Sequence, residues 1–302
     1  LSVHPARPAP VVFDSPHSGK NIPLKAIFNP ACASEHMHYV EDSLVDELIV
    51  DCAQYGVTLL NALITRNYVD LNRARDCLHL PHFKGDWSKI QNDPQPTRPA
   101  LNGAGVIPVY TGQSLRAHLY HEHDRPGSNE INTRLANYWD PYHAKLDEII
   151  KNLHQEFGVC YHINCHSMPR TCSAEDFVIG DLFSQSADKG FSEFVKVTLE
   201  QHPILKKNKW IVGINTGNGP PLSGAEIVRR HGNPANNIHS IQLEIKRMHY
   251  MDERTRLPNA GFAEIKEVLE DLSLAVTDYA MNYAPRREAM VKNNQNLSPD
   301  LF

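Results

Sequence analysis

The sequence predicts an α/β fold in which a mostly parallel or mixed central sheet is flanked by helices. Short apolar runs typical of buried strands alternate with longer segments of helical periodicity along the 302 residues. Such alternation favours layers of helices packed on one sheet. Because neither a linker nor an internal repeat interrupts it, we expect residues 1–302 to form a single domain, with a polar and disordered tail from about residue 293.

The first third of the chain supplies two candidate strands and one helix. An apolar run at residues 11–13 enters a polar loop, and apolar residues recur at helical spacing over 41–55. Gly56 ends that helix, and residues 58–64 form the next candidate strand. Residues 76–105 are rich in Pro, Asn, Asp and Gly, which predicts a long excursion over the surface.

The rest of the chain repeats the alternation. The patterns predict helices over 141–157, 191–199 and 262–283 and strands over 159–165, 177–179, 210–214 and 239–245. Ligands of open α/β sheets bind beyond the carboxyl ends of the strands. Polar clusters follow the candidate strands at His17, Asn72–Arg73, His166 and Glu244, so we expect them to share one edge of the sheet.

Composition excludes several classes of function. The formal net charge of -5 leaves no basic excess for nucleic acid. No apolar window is long enough to span a membrane, and no signal peptide is evident. The six cysteines form no C-x-x-C pair, which argues against a cysteine-ligated zinc site and favours a reduced, cytoplasmic protein.

Two histidines and a carboxylate form a candidate metal site. His17 and His166 each follow a candidate strand, and Asp42 opens the first helix. Catalytic zinc takes three such ligands and keeps one position open. Taken singly, each residue is as readily explained by packing or by a surface position, since the chain holds 17 histidines.

A second cluster is a rival by spacing alone. His118, His121, Glu122 and His123 lie within one stretch, and two of the histidines are three residues apart. No buried strand precedes this cluster, so a polar helix is the simpler interpretation.

Charged residues near the other clusters suggest binding and catalysis. Arg66 and Arg73 flank one short segment, and arginine pairs carboxylates bidentately, although a structural ion pair would explain them equally. Glu244 ends an apolar run, where partial burial would raise its pKa and suit it to general base work. No G-x-S-x-G elbow supports a serine nucleophile at Ser18 or Ser167.

Several short motifs occur in order between about residues 10 and 255. They are Ser-Pro-His-Ser-Gly at 15–19, Glu-Asp at 41–42, Val-Asp-Leu-Asn-Arg at 69–73, Cys-His-Ser-Met-Pro at 165–169 and Gln-Leu-Glu at 242–244. Together they resemble the N-formylglutamate amidohydrolases, a family similar in fold to zinc carboxypeptidases and aspartoacylases. The resemblance implies hydrolysis of N-formyl-L-glutamate, a small N-acyl amino acid, to formate and L-glutamate.

The resemblance also implies the roles of particular residues. One Zn²⁺ ion, or another divalent metal, would be held by His17, Asp42 and His166, with Glu41 as the alternative to Asp42. Glu244 would be the general base. The remaining implied roles are Arg66 beside the reacting carbonyl and Asn72, Arg73, Arg247 and Asn215 as substrate-binding residues.

The sequence departs from the family pattern at two places. Asn164 stands two residues before the second histidine, where the family usually has an acid, so an orienting carboxylate is expected to be missing. The loop at 215–224 also differs from the family's. These departures keep two alternatives open: a related zinc amidase or carboxypeptidase acting on another N-acyl amino acid or peptide, and a catalytically dead anion-binding protein.

Overall fold

The protein is described here from a computed structural model, which covers residues 1–23, 28–29, 39–85, 95, 97–111, 117–219 and 221–295. Of residues 283–295 only the backbone is described. Within these ranges, one seven-stranded sheet is flanked by helices on both faces, and the predicted α/β class is confirmed. That the whole chain forms a single domain stays a prediction.

The strands of the sheet, in chain order, are β1 (Ser2–Val3), β2 (Val11–Ser15), β3 (Thr58–Asn61), β4 (Cys160–Met168), β5 (Phe177–Gly180), β6 (Val212–Ile214) and β7 (Ile238–Lys246). Their spatial order is β1-β3-β2-β4-β7-β5-β6. The β1–β3 and β5–β7 pairs are antiparallel, and the other pairs are parallel, so the sheet is mixed. The central strands β2, β4 and β7 are buried on both faces almost throughout, although β4 and β7 alternate apolar with polar residues.

The described helices are α1 (Val45–Ile49), α2 (Arg98–Leu101), α3 (Ser128–Arg134), α4 (Asp140–Phe157), α5 (Lys189–Gln201), α6 (Pro203–Asn208), α7 (Glu226–His231) and α8 (Phe262–Gln295). A π-helical turn, Leu135–Trp139, joins α3 to α4. Gly158 ends α4 at a φ of 75°, a left-handed conformation that glycine adopts without strain.

The two faces of the sheet carry separate hydrophobic clusters. Tyr161, Ile163 and Cys165 of β4 belong to the cluster beneath α1, α5 and α8. The opposite cluster lies beneath α4. Side chains alternate between the faces of a strand, so His162, Asn164 and His166 lie together on the α4 side. Period-two alternation thus places a row of polar side chains on one face of a buried strand.

Several predicted boundaries differ from the structure. The helix expected over 41–55 begins only at Val45 and becomes a 3₁₀ helix at Val50, because Leu44 is left-handed and the Asp42 N–H binds the His17 carbonyl. The strand expected over 58–64 ends at Asn61. The tail expected from 293 is helical to Gln295, and residues 296–302 lie outside the described ranges.

The excursion predicted over residues 76–105 lies partly outside the described ranges, which omit 86–94 and 96. Its described part contains a 3₁₀ turn, Leu80–His82, and α2. In the described part of this excursion no regular element is longer than four residues, in agreement with the weak periodicity of the sequence.

Arg134 of α3 is a buried cation whose removal tests the packing of this face. It is 1% exposed, donates a 2.7 Å hydrogen bond to the Tyr120 hydroxyl and a 3.3 Å bond to the Tyr68 carbonyl, and lies 3.9 Å from the Tyr68 ring centroid. Arg134→Met should therefore lower the free energy of unfolding by about 2–4 kcal/mol, since buried partners lose their donor. Urea denaturation measures this loss.

Lys207→Met is the control for that variant. The Lys207 side chain is 70% exposed and pairs with Glu264, which is 38% exposed, so its loss should cost less than about 1 kcal/mol. Equal destabilisation by the two substitutions would contradict a special role for the buried Arg134.

Candidate metal centre

His17, Asp42 and His166 converge from three separate segments of the chain. His17 lies in the turn after β2, Asp42 precedes α1, and His166 lies within β4 rather than beyond its end. Gly19 allows the turn to pack tightly, since a Cβ there would lie 2.3 Å from the Ile64 carbonyl oxygen. The turn is therefore held against the segment that follows β3.

The ligand atoms of these three residues all lie within 4.8 Å of one another. The Asp42 Oδ2 atom is 2.8 Å from His166 Nδ1 and 3.5 Å from His17 Nδ1. Each side chain is buried, at 2–3% exposure. Across the described ranges, no other group of three His, Cys, Asp or Glu side chains meets this geometry.

The chemistry of the three donors fits a zinc ion. His17 Nδ1 is buried and has no hydrogen-bond partner, which is costly for an isolated polar atom. Two imidazole nitrogens and one carboxylate oxygen are a donor set that catalytic zinc uses. An orphaned nitrogen facing a carboxylate and a second imidazole is the arrangement expected of a metal site.

Asp70 fixes the orientation of His17 from the opposite side of the ring. Its Oδ1 lies 2.7 Å from His17 Nε2, and its Oδ2 accepts a 2.7 Å bond from Arg66 Nη2. Burial would raise the pKa of Asp70, but Arg66, His17 and Arg73 together lower it well below its usual value. The ionised carboxylate therefore directs His17 Nδ1 toward Asp42.

Asp42 is held by an arginine behind it. Arg247 donates from Nη2 to Asp42 Oδ1 at 2.9 Å, and its Nε donates to the Ser167 hydroxyl at 3.1 Å. Burial acts to raise the pKa of Asp42, but the adjacent imidazoles of His166 and His17 and the charge of Arg247 lower it well below its usual range. Asp42 is thus an ionised ligand candidate with one oxygen already engaged.

Asn164 stands at the position where the resemblance implied an acid, and its amide contacts His166 directly. Its Oδ1 lies 2.6 Å from His166 Nε2, so an amide oxygen contacts the ring nitrogen that faces away from Asp42. Asn72 Nδ2 also approaches, at 3.0 Å from the same nitrogen and 3.2 Å from the Gln242 amide oxygen. His166 is therefore enclosed by amides, with Nδ1 directed to the metal site.

Glu244 lies on the neighbouring strand at the level of the triad. It pairs in register with His166, is 8% exposed, and accepts a 2.9 Å hydrogen bond from Gln242 Nε2. Burial raises the pKa of Glu244, against the lowering effect of His166, and the Asp42 charge raises it further. Such a carboxyl group suits proton transfer near neutral pH.

Arg66 lies on the partly open side of the site. It is 18% exposed and donates from Nη1 to the Val40 carbonyl at 3.0 Å as well as to Asp70. Burial tends to lower the pKa of Arg66, but the carboxylates of Asp70, Asp42 and Glu244 raise it. A permanent positive charge therefore lies among the acidic side chains of the site.

The four predicted substrate-binding residues are placed differently from one another. Asn72 is buried, and its Oδ1 accepts the Ile227 N–H at 2.9 Å. Arg73 is half-buried, and Arg247 is 3% exposed behind Asp42. Asn215 forms paired hydrogen bonds with Asp181. Substrate binding by all four stays a prediction, and the contacts of Asn72 and Arg247 are those of positioning residues.

The rival histidine cluster does not assemble into a metal site in the described part of the chain. Glu122–Asp124 forms a 3₁₀ turn rather than the helix expected from the spacing. The His121 and His123 rings stack at 5.5 Å, whereas His118 contacts Tyr110. The three-residue spacing thus does not place His118 and His121 on one helical face.

Sequence reasoning missed the residues that orient the candidate ligands. Asp70 lies inside the motif at 69–73, between Arg66 and Arg73. A carboxylate between two arginines was the sequence feature that could have identified it. Asp14 lies within β2, and Gln242 lies within β7, as does Glu244, which was expected beyond the end of its strand. A search for polar residues within the buried central strands therefore identifies more residues of the site than a search for histidines alone.

None of the helices in the described ranges is both long and apolar enough to cross a membrane.

Comparison with known proteins connects this site to one family. A family model described as N-formylglutamate amidohydrolase matches residues 9–251. The N-formylglutamate deformylase of Pseudomonas aeruginosa is 27% identical over 234 residues, 72% of this chain and 76% of that protein. The N-formylglutamate deformylase of Pseudomonas putida is 24% identical over 259 residues, 84% of this chain and 85% of that protein.

A solved structure agrees with these relatives. The crystal structure of N-formylglutamate amidohydrolase from Ralstonia eutropha JMP134 is similar with a TM-score of 0.82 and 29% sequence identity. The match covers 95% of this chain and 98% of that one. With a family model that spans most of its length and a fold shared almost from end to end, the chain belongs to the N-formylglutamate amidohydrolase family.

Proposed function

We propose that this chain is a zinc-dependent amidohydrolase that converts N-formyl-L-glutamate to formate and L-glutamate. The observation that carries the proposal is the buried triad of His17, Asp42 and His166, with an orphaned His17 Nδ1 and with Glu244 on the adjacent strand. Relatives named N-formylglutamate deformylase support the substrate. A cytoplasmic location stays a prediction.

The triad would hold the metal. When bound, zinc supplies Lewis acidity, which polarises an acyl oxygen and makes water more acidic. The chain contributes the orientation of the ligands, through Asp70 at His17, Arg247 at Asp42 and Asn164 at His166. Each candidate ligand is therefore held in place by a second side chain before any metal enters.

Glu244 would move the proton of the reaction. Water adds to the formyl carbon, the C–N bond breaks, and the proton that Glu244 takes from water passes to the leaving amine nitrogen. The raised pKa of Glu244, caused first by burial, brings it closer to the value at which a group both accepts and returns a proton.

Arg66 would stabilise the negative charge that develops on the formyl oxygen. Its guanidinium is fixed by Asp70 and the Val40 carbonyl, so little reorganisation is needed during the reaction. A single such donor contributes about 10²–10³ in rate in a serine protease. Comparable assistance is expected here.

Arg73 would bind a carboxylate of the substrate. The half-buried guanidinium contacts the carbonyls of Ala104 and Asn72, which orient it beside the site. Arg73→Gln should raise KM about 10- to 100-fold, since a charge-assisted hydrogen bond contributes about 1.5–3 kcal/mol. The effect on kcat should be smaller. Steady-state kinetics with N-formyl-L-glutamate measures both.

Arg75→Gln serves as the matched control for Arg73→Gln. Arg75 lies two residues further along and pairs with Asp140 instead of the site. If the Arg75 variant raises KM as much as the Arg73 variant does, the prediction that Arg73 binds a substrate carboxylate is wrong.

A substrate panel tests the proposed function directly. The zinc-loaded chain should hydrolyse N-formyl-L-glutamate with a higher kcat/KM than N-acetyl-L-glutamate or short peptides. A preference for the acetyl or peptide substrates would instead indicate a related amidase or carboxypeptidase. Metal binding without turnover of any substrate would indicate an anion-binding protein.

A further inference from the structure

Asp14 is a buried carboxylate that contacts none of the candidate ligands. It lies on β2 in register with Asn164 of β4, so both side chains lie on the α4 side of the sheet. Asp14 is 0% exposed. Burying an ionised carboxylate at this depth is unfavourable unless several hydrogen-bond donors surround it, so the partners of Asp14 are informative.

Three donors surround the Asp14 carboxylate. Tyr142 donates its hydroxyl to Oδ2 at 2.6 Å, and Asn164 Nδ2 donates to Oδ1 at 2.7 Å. His162 Nε2 lies 2.8 Å from Oδ1, while its Nδ1 lies 2.7 Å from the Ser240 hydroxyl. Although burial would raise the pKa of Asp14, His162, Tyr142 and Asn164 lower it, so the group remains ionised.

The ionised carboxylate determines which way the Asn164 amide faces. A carboxylate only accepts hydrogen bonds, so the amide nitrogen must face Asp14 and the amide oxygen must face His166. An amide oxygen also only accepts, so His166 Nε2 must carry a proton. The other ring nitrogen, Nδ1, is the one that faces Asp42 in the triad.

The contact of Asn72 with His166 Nε2 does not change the conclusion that this nitrogen carries a proton. Its amide oxygen accepts the Ile227 N–H, so its nitrogen faces His166 and is a donor. That nitrogen has other acceptors, the amide oxygens of Gln242 at 3.2 Å and Asn164 at 3.4 Å. The 2.6 Å contact between His166 Nε2 and Asn164 Oδ1 is shorter, and it decides the position of the proton.

We propose that Asp14 is a positioning residue for the metal centre and acts through the Asn164 amide. It holds the Asn164 amide oxygen against the Nε2–H of His166 and thereby directs Nδ1 to the side of Asp42, where a metal ion would bind. This inference rests on the proposed metal centre.

The test compares Asp14→Asn with the exchange variant Asp14→Asn/Asn164→Asp. The single variant replaces a carboxylate, which only accepts, by an amide that can face Asn164 with either its oxygen or its nitrogen, so the orientation of Asn164 is no longer fixed. Its affinity for Zn²⁺ should therefore fall about 10-fold, the low end of the effect of losing a direct outer partner of a metal ligand. The exchange variant places a carboxylate directly against His166 Nε2, so it should regain most of that affinity. Competition with a chromophoric chelator measures both.

Tyr142→Phe is the control at the same carboxylate. It removes one donor to Asp14 but neither the charge nor the Asn164 contact, so zinc affinity should change less than about threefold, well below the usual loss of an outer partner. Equal losses in Asp14→Asn and Tyr142→Phe, without recovery in the exchange variant, would mean that Asp14 serves only the packing of the fold.

A second measurement is independent of the metal. Nitrogen-15 NMR of the metal-free chain should show a proton on His166 Nε2 in the wild type and the exchange variant, and its loss in Asp14→Asn. A wild-type His166 without that proton would overturn the inference. If the wild type binds no Zn²⁺, the proposed function fails instead, and the NMR result still decides the role of Asp14.

Discussion

Glu244→Gln should lower the turnover of N-formyl-L-glutamate about 10²- to 10⁴-fold, the usual contribution of a positioned general base. Glutamine has nearly the same shape as glutamate but cannot accept the proton of the attacking water. Because Glu244 is not among the three triad residues, zinc content should stay stoichiometric and KM should change little. Initial-rate kinetics and elemental analysis of the same preparation provide the measurement.

Glu264→Gln is the matched control for that variant. Glu264 lies in the first turn of α8 and pairs with Lys207 at the surface, so the same chemical change there should leave turnover unaltered. Near-normal turnover by the Glu244 variant would remove this residue from the mechanism while leaving the metal centre intact.

Asp42→Asn should abolish stoichiometric zinc binding and, with it, activity. An amide is a poorer ligand than a carboxylate, and the loss of a direct ligand should exceed the roughly 10- to 100-fold cost of losing an outer partner. The variant should also be less stable, because Arg247, at 3% exposure, would lose its buried counter-charge. Chelator competition measures zinc affinity, and urea denaturation measures stability.

Glu41→Gln separates the two carboxylates that the sequence left as alternatives. Glu41 is also buried, but its Oε1 accepts a 2.8 Å hydrogen bond from the Thr65 hydroxyl and it is absent from the triad. The Glu41 variant should therefore retain zinc. Loss of zinc in Glu41→Gln with retention in Asp42→Asn would assign the ligand to Glu41.

Much of the secondary structure was predictable because the periodicity of apolar residues is a local property of the sequence. The strands at 177–180 and 238–246 and the helices at 140–157 and 189–201 lie within a few residues of the periodic segments. The helix predicted over 41–55 begins only at Val45. A left-handed Leu44 and a backbone bond from Asp42 to the His17 turn override helical periodicity there.

The sequence by itself determined the candidate side chains, His17, Asp42, His166 and Glu244, because short motifs are local features of the chain. Only the tertiary structure decided how they are oriented. The contacts of Asp70 with His17 and of Asp14 with Asn164 join residues that are 53 and 150 positions apart. Strand register brings these distant residues together. Because buried polar groups must be hydrogen-bonded, their partners depend on which groups the fold places beside them.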